Sequence, residues 1–157
     1  MKAKSRNLQH LIDQAMALEP IHVAVVDAAQ GVVIETLREA HAFGFIEPRM
    51  IGDPDSIGAI CKGMGWKIAD DWIVPASTDT AAAAKAVELA RNGEAEAIMK
   101  GDIHTDAFMR ALLDKDRGLR VPGRRVSHVF IAEVSTYPKL LGITRSEERR
   151  VGKECRL

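Results

Sequence analysis

The sequence predicts an α/β fold, a three-layer, mostly parallel sheet with helices on both faces. Three observations predict it. Short β-branched apolar runs alternate with amphipathic stretches at helical spacing along most of the 157 residues. Capping residues, prolines and glycines fall at the junctions between them. Apolar residues make up 46% of the chain but aromatics only 4%, so the core is aliphatic.

Residues 7–18 place Leu8, Leu11, Ile12, Ala15 and Leu18 on one helical face, and Pro20 ends that helix. Ile21–Val26 is a buried strand. Residues 31–43 return to helical spacing with Val33, Leu37, Ala40 and Phe43 on one side, closed by Gly44. A second strand covers 46–51. Asp53-Pro54 then supplies an N-cap and a proline at the first helical position, for a helix running to Gly63 or Gly65. Residues 72–74 form a third strand. Thr78 or Asp79 caps an Ala-rich helix over 80–91, closed by Asn92-Gly93. A fourth strand at 97–99, a helix at 104–113 and strands at 126–134 and 140–143 complete the order. Cys61 reads as a buried helical residue.

The formal net charge is zero, which gives no reason to expect a nucleic-acid partner. No apolar run is long enough to span a bilayer and no targeting signal is visible, so the expected location is the cytoplasm. The two cysteines and five histidines have no metal-ligand spacing, and no metal is expected. Gly63-Met64-Gly65 lacks the third glycine of a dinucleotide fingerprint.

Residues 145–157 break the pattern. Five of these thirteen residues are Arg or Lys and three are Glu, directly after an apolar β-rich stretch. They are similar to a translated adapter of short-read sequencing libraries; a natural charged tail is the alternative. The expectation is a polypeptide that continues past Thr144 in nature.

In parallel sheets ligands bind beyond the carboxyl ends of strands. That singles out 27–30, 75–80 and 100–105. Lys100-Gly101-Asp102-Ile103-His104-Thr105 joins a strand to a helix. Gly101 permits close backbone approach, the helix N-terminus offers unpaired N–H groups, Lys100 adds a cation and Thr105 a hydroxyl. Arg110, about one and a half turns on, has the planar fork that binds phosphate bidentately. The alternative is a simple strand-to-helix turn capped by Asp102 or Thr105, with Arg110 solvated. The stretch from Arg120 to His128 gathers cations ahead of a strand that takes in Ser127 and His128; it reads as a polyanion contact or as an exposed loop. Asp27, at a strand end, is a weaker candidate.

Several phrases in order resemble the phosphate acetyltransferase and phosphate butyryltransferase family. They are Phe-Ile-Glu-Pro-Arg-Met-Ile-Gly ending at Gly52, the helix and strand up to Met99, Lys-Gly-x-x-His-Thr-x-x-x-x-Arg from Lys100 to Arg110, and Arg-Arg-Val-Ser-His-Val-Phe ending at Phe130. The spacing at Lys100 is nearer the butyryltransferase branch. The resemblance implies a fold like isocitrate and isopropylmalate dehydrogenases, with residues 1–144 as the N-terminal part of a phosphate acyltransferase domain, truncated, and 145–157 as an added tail.

It also implies the reaction acyl-CoA plus phosphate giving acyl phosphate plus CoA, with CoA as a substrate and no cofactor, and a homo-oligomer, a dimer, at full length. Lys100, Gly101, His104, Thr105, Arg110 and Ser127 would bind the substrates. The family's aspartate, which takes the thiol proton, and its serine belong to a second half not matched here, so this chain alone is expected to be inactive. Rival readings are an acyl carrier protein:phosphate acyltransferase and a non-catalytic CoA- or anion-binding module.

Overall fold

The computed structural model describes residues 7–124 and 126–144. The adapter-like stretch 145–157 and Arg125 of the cationic segment lie outside the described residues. In chain order the elements are α1 (Leu8–Ala15), β1 (Ile21–Val26), α2 (Gly31–Ala42), β2 (Ile46–Gly52), α3 (Pro54–Gly63), β3 (Ile73–Pro75), α4 (Asp79–Arg91), β4 (Ala97–Lys100), α5 (Thr105–Leu112), β5 (Val129–Ala132) and β6 (Leu141–Thr144). They divide into two compact units, Ala15–Pro122 and Met1–Gln14 with Gly123–Leu157. None of the described helices is long and apolar enough to cross a membrane.

The larger unit is a parallel sheet in the order β3-β2-β1-β4. Its central strand, β1, shows why three layers form. Side chains alternate across a strand. Val23 and Val25 therefore face one way, into a core shared with Val33, Ile34 and Leu37 of α2 and Ile57 and Cys61 of α3. Ala24 and Val26 face the other, against Ala82, Ala83, Ala86 and Leu89 of α4, with Phe108 and Ala111 of α5 partly buried beside them. The expected helices on both faces are thus present. The alanines of α4 let its backbone lie close to the sheet. Each fully buried Leu, Ile or Val contributes about 1.5–3 kcal/mol relative to exposure.

The helix boundaries follow their caps. The Asp53 carboxylate accepts the Ser56 N–H at 2.9 Å and Pro54 opens α3. The Thr78 hydroxyl accepts the Ala81 N–H at 3.2 Å and starts α4. Gly44 takes φ 74° just past α2, as a closing glycine should. One expectation fails here. Phe43 is the C-cap of α2 and 56% exposed, stacked on Phe45 rather than turned into the core. The helix ends at Ala42, and the left-handed turn takes the chain away before Phe43 reaches the apolar face. Trp72, expected to open the third strand, instead ends a 3-10 turn at Asp70–Trp72, and β3 starts one residue later.

The smaller unit holds α1 and an antiparallel pair, β5 with β6, in which Phe130 faces Ile143. The parallel pattern stops here because residues 133–140 are too few for a crossover, which takes a dozen or more. Glu133 accepts the Leu8 N–H at 2.9 Å, placing a carboxylate at the positive end of α1. The expected strand over 126–134 is shorter than its apolar run. Ser127 and His128 precede β5 rather than lie in it, and both are exposed. The apolar face foreseen for α1 exists in sequence but has no buried residue.

Candidate functional site

Within the larger unit, the chain leaves β1 for α2 on one face of the sheet and leaves β4 for α5 on the other. Between two such strands the connections part, which opens a crevice at their carboxyl ends. The backbone there is tightly drawn. The Gly101 N–H donates to the Val26 carbonyl at 2.8 Å, and the Asp102 N–H to the Asp27 carbonyl at 3.0 Å. A Cβ on residue 101 would overlap the carbonyl oxygens of Val26 and Asp27. Glycine is therefore required by packing at the strand end as well as being suited to a ligand's approach.

Asp27 sits opposite with φ 54°, a left-handed conformation that non-glycine residues adopt sparingly. Burial, then the nearby charges of Asp79 and Asp102, push its carboxyl above the ordinary carboxylate range, while the Ala29 N–H pulls it down. Sequence reasoning ranked Asp27 low because nothing local in the sequence reveals the charges of Asp79, at the start of α4, and Asp102, ahead of α5, acting on it. Among the described residues no group of His, Cys, Asp and Glu is arranged to hold a metal ion.

Four helices start along this edge, and their caps differ. Side chains of Asp53 and Thr78 occupy the N-termini of α3 and α4. The N-caps of α2 and α5, Gln30 and His104, make no such bond. The cap of α5 is thus His104, rather than the Asp102 or Thr105 that a plain turn would use. The first-turn N–H groups of α5 have no side-chain acceptor and remain available to an anion. Ile103, fully buried, pins the loop beneath them.

The sequence-derived residues divide into three groups. Gly101 is half-buried at the crevice; Lys100, His104 and Thr105 are exposed around the start of α5, with Lys100 Nζ 3.4 Å from the Gly101 carbonyl. Arg110 is exposed on α5 and lines a groove of about 580 Å³ between α4 and α5, which Lys100, Gly101, His104 and Thr105 do not line. Ser127 belongs to the smaller unit.

The groove has a floor of Ala84, Val87, Ala107 and Ala111 and reaches Thr80 at the start of α4. Arg91 and Arg117 join Arg110 along it; neither was foreseen. Arg91 donates to the Asp116 carbonyl at 2.9 Å. Asp114 accepts the N–H groups of Arg117 and Asp116, which lower its pKa, helped by the charges of Arg117 and Arg91. A Cβ on Gly118 would overlap the carbonyl oxygens of Asp114 and Leu112, so this turn too needs glycine.

No family model matches the sequence. Individual proteins do. The phosphate acetyltransferase of Rickettsia felis is 37% identical over 139 residues, covering 87% of this chain and 40% of that protein. The phosphate butyryltransferase of Clostridium acetobutylicum is 34% identical over 139 residues, covering 88% of this chain and 46% of that protein. The chain is a relative of the phosphate acetyltransferases and phosphate butyryltransferases. The family resemblance read from the ordered phrases is thereby borne out, while identities of 37% and 34% do not separate the two branches.

Among solved structures, a phosphotransacetylase from Streptococcus pyogenes superposes with a TM-score of 0.67 at 14% identity, covering 83% of this chain and 49% of that one. A branched-chain phosphotransacylase from Enterococcus faecalis gives 0.57 at 21%, covering 79% and 42%. These two share the α/β fold. The chain spans less than half the length of the phosphate acyltransferase relatives it matches in sequence.

Proposed function

We propose that this chain is the N-terminal part of a phosphate acyltransferase, which converts acyl-CoA and inorganic phosphate to acyl phosphate and CoA. The observation that carries the reading is the uncapped N-terminus of α5, set directly behind Lys100 and Gly101 in a chain related by sequence to such enzymes. In the reaction a phosphate oxygen attacks the thioester carbonyl carbon, the C–S bond breaks, and the thiolate leaves and takes up a proton. Negative charge builds on the carbonyl oxygen during attack. Donors fixed beforehand around that charge stabilise it. The first-turn N–H groups of α5, the Thr105 hydroxyl and Lys100 supply donors for the phosphate or the acyl phosphate, with His104 and Gly101 lining the approach. Arg110 contributes a bidentate fork from the adjoining groove.

In this reading no cofactor takes part, the protein is cytoplasmic, and the full-length enzyme is a homo-oligomer. The group that protonates the thiol is not among these residues, so the chain by itself lacks turnover. Titrating the chain with acetyl phosphate and with butyryl-CoA while recording amide NMR spectra tests the binding role. Shifts centred on residues 101–107, weakened in Lys100→Ala and Arg110→Ala, are expected; silence of those amides toward both ligands overturns it. Release of CoA from acetyl- or butyryl-CoA by the chain alone in phosphate buffer would contradict the expected inactivity.

A further inference from the structure

The larger unit holds a cavity that the acyl-transfer chemistry does not use. It measures about 340 Å³ and is lined by the second half of α3 and the segment that follows that helix. Because β2 and β3 are parallel, α3 between them runs back toward the other end of the sheet, away from the crevice. Cys61 and Ile68 give the cavity an apolar lining and Trp66 an aromatic wall. The Trp66 N–H donates to the Cys61 carbonyl at 2.9 Å, which ties that wall to the helix. His41 and Trp72 pack beside the indole, with ring centres 6.2 and 5.8 Å from it, and neither lines the cavity. The indole is thus held from one side while part of it faces the opening. Lys62 and Lys67 complete the wall, both exposed. No carboxylate lines the cavity, and among the described residues neither lysine sits in an ion pair.

Gly58 points independently to a ligand. It lies inside α3, where glycine weakens a helix relative to alanine. Its φ is not left-handed, and a Cβ there would meet nothing within 4 Å beyond the helix itself. Neither backbone geometry nor packing calls for glycine at this position. What the missing side chain leaves bare is a wall of the cavity, which suits close approach of a bound molecule. Lys62 alone has a simpler account, since a cation in the last turn complements the helix dipole. That account covers neither Lys67 nor Gly58.

We propose that this cavity binds a planar aromatic anion no larger than a nucleoside monophosphate, its ring against Trp66, its edge over Gly58 and its charged group between Lys62 and Lys67. An aromatic wall favours a flat ring, and lysines act as point charges for a compact anion. The volume lies at the small end of ligand sites, which run from about 300 to 1,000 Å³. The site stands apart from the phosphate donors at α5, and the proposal does not depend on the acyltransferase reading.

The chain has two tryptophans, so Trp72→Phe leaves Trp66 as the sole indole reporter. AMP added to this variant should quench its fluorescence saturably, with half-effect at or below about 1 mM. Adenosine lacks the anion and ribose 5-phosphate lacks the ring; each should bind at least about tenfold more weakly. AMP should lose at least about as much on the double variant Lys62→Ala with Lys67→Ala. Gly58→Leu projects a side chain into the cavity and should abolish the quench. Its unfolding midpoint should stay at or above the parent's, because leucine is the better helix former. If Trp72→Phe does not fold, amide NMR spectra of the unsubstituted chain read the same titration through residues 58–68. No saturable response, an equal response to adenosine, or undiminished binding by Gly58→Leu each overturns the proposal. Displacement of AMP by an equal concentration of CoA overturns the assignment to a small ligand.

Discussion

Two apolar strands in this molecule have similar sequences and different surroundings. β1 ends in Val23-Ala24-Val25-Val26, and all four are buried. β5 reads Val129-Phe130-Ile131-Ala132, and its first three residues are half or more exposed. The difference is one of neighbours. β1 pairs with β2 on one side and β4 on the other, with helices over both faces. Among the described residues β5 pairs with β6 alone. A strand's composition states what cover it requires; its position in the sheet decides what cover it receives.

The sharpest way to break this comparison is to truncate one side chain in each unit. Leu37→Ala, beneath β1, should destabilise the chain by about 2–5 kcal/mol in urea unfolding, as buried leucines do when a cavity is left. Val129→Ala should change stability by less than about 0.5 kcal/mol, as an exposed substitution. Equal effects would mean that β5 is covered after all.

Gly101→Ala tests the contact between the ends of β1 and β4. Its Cβ would overlap the Val26 and Asp27 carbonyl oxygens, so a loss of about 1–3 kcal/mol is expected from the forced backbone shift. An unchanged unfolding midpoint would show that the two strand ends are not drawn together in this way.

The smallest effect concerns Asp27. Its folded-state pKa lies above the ordinary carboxylate range, so the folded chain holds the proton more tightly than the unfolded chain does. The stabilisation from that proton is fully present below the unfolded-state pKa and is lost as pH rises through the higher folded-state one. Asp27→Asn keeps an acceptor for the Ala29 N–H and tolerates the left-handed backbone. It should therefore be more stable than the parent at neutral pH, and the gap should close in acid. A gap independent of pH would remove the electrostatic account.

Much of the larger unit was legible beforehand because its signals are local. Ile21–Val26 was placed to the residue by its β-branched apolar run. Asp53-Pro54 and Thr78 marked their helix starts because a cap is a contact three residues long. Cys61 was read as buried and is 1% exposed. The candidate site was legible only in part. Lys100 to Thr105 could be placed at a strand end from their flanks. The convergence of Asp79 and Asp102 on Asp27 could not, because the three follow different strands far apart in the sequence. Arg91 and Arg117 were missed for the same reason: each is an ordinary surface arginine until α4 and α5 lie side by side.

The sequence by itself determined the aliphatic core, the alternation of strand and helix, and the capped starts of α3 and α4, since all depend on residues a few positions apart. Only the tertiary structure decided the strand order β3-β2-β1-β4, the overlap that makes Gly101 obligatory, and which of two similar apolar strands is buried. Those depend on contacts between residues far apart in the chain, which pattern and propensity do not encode.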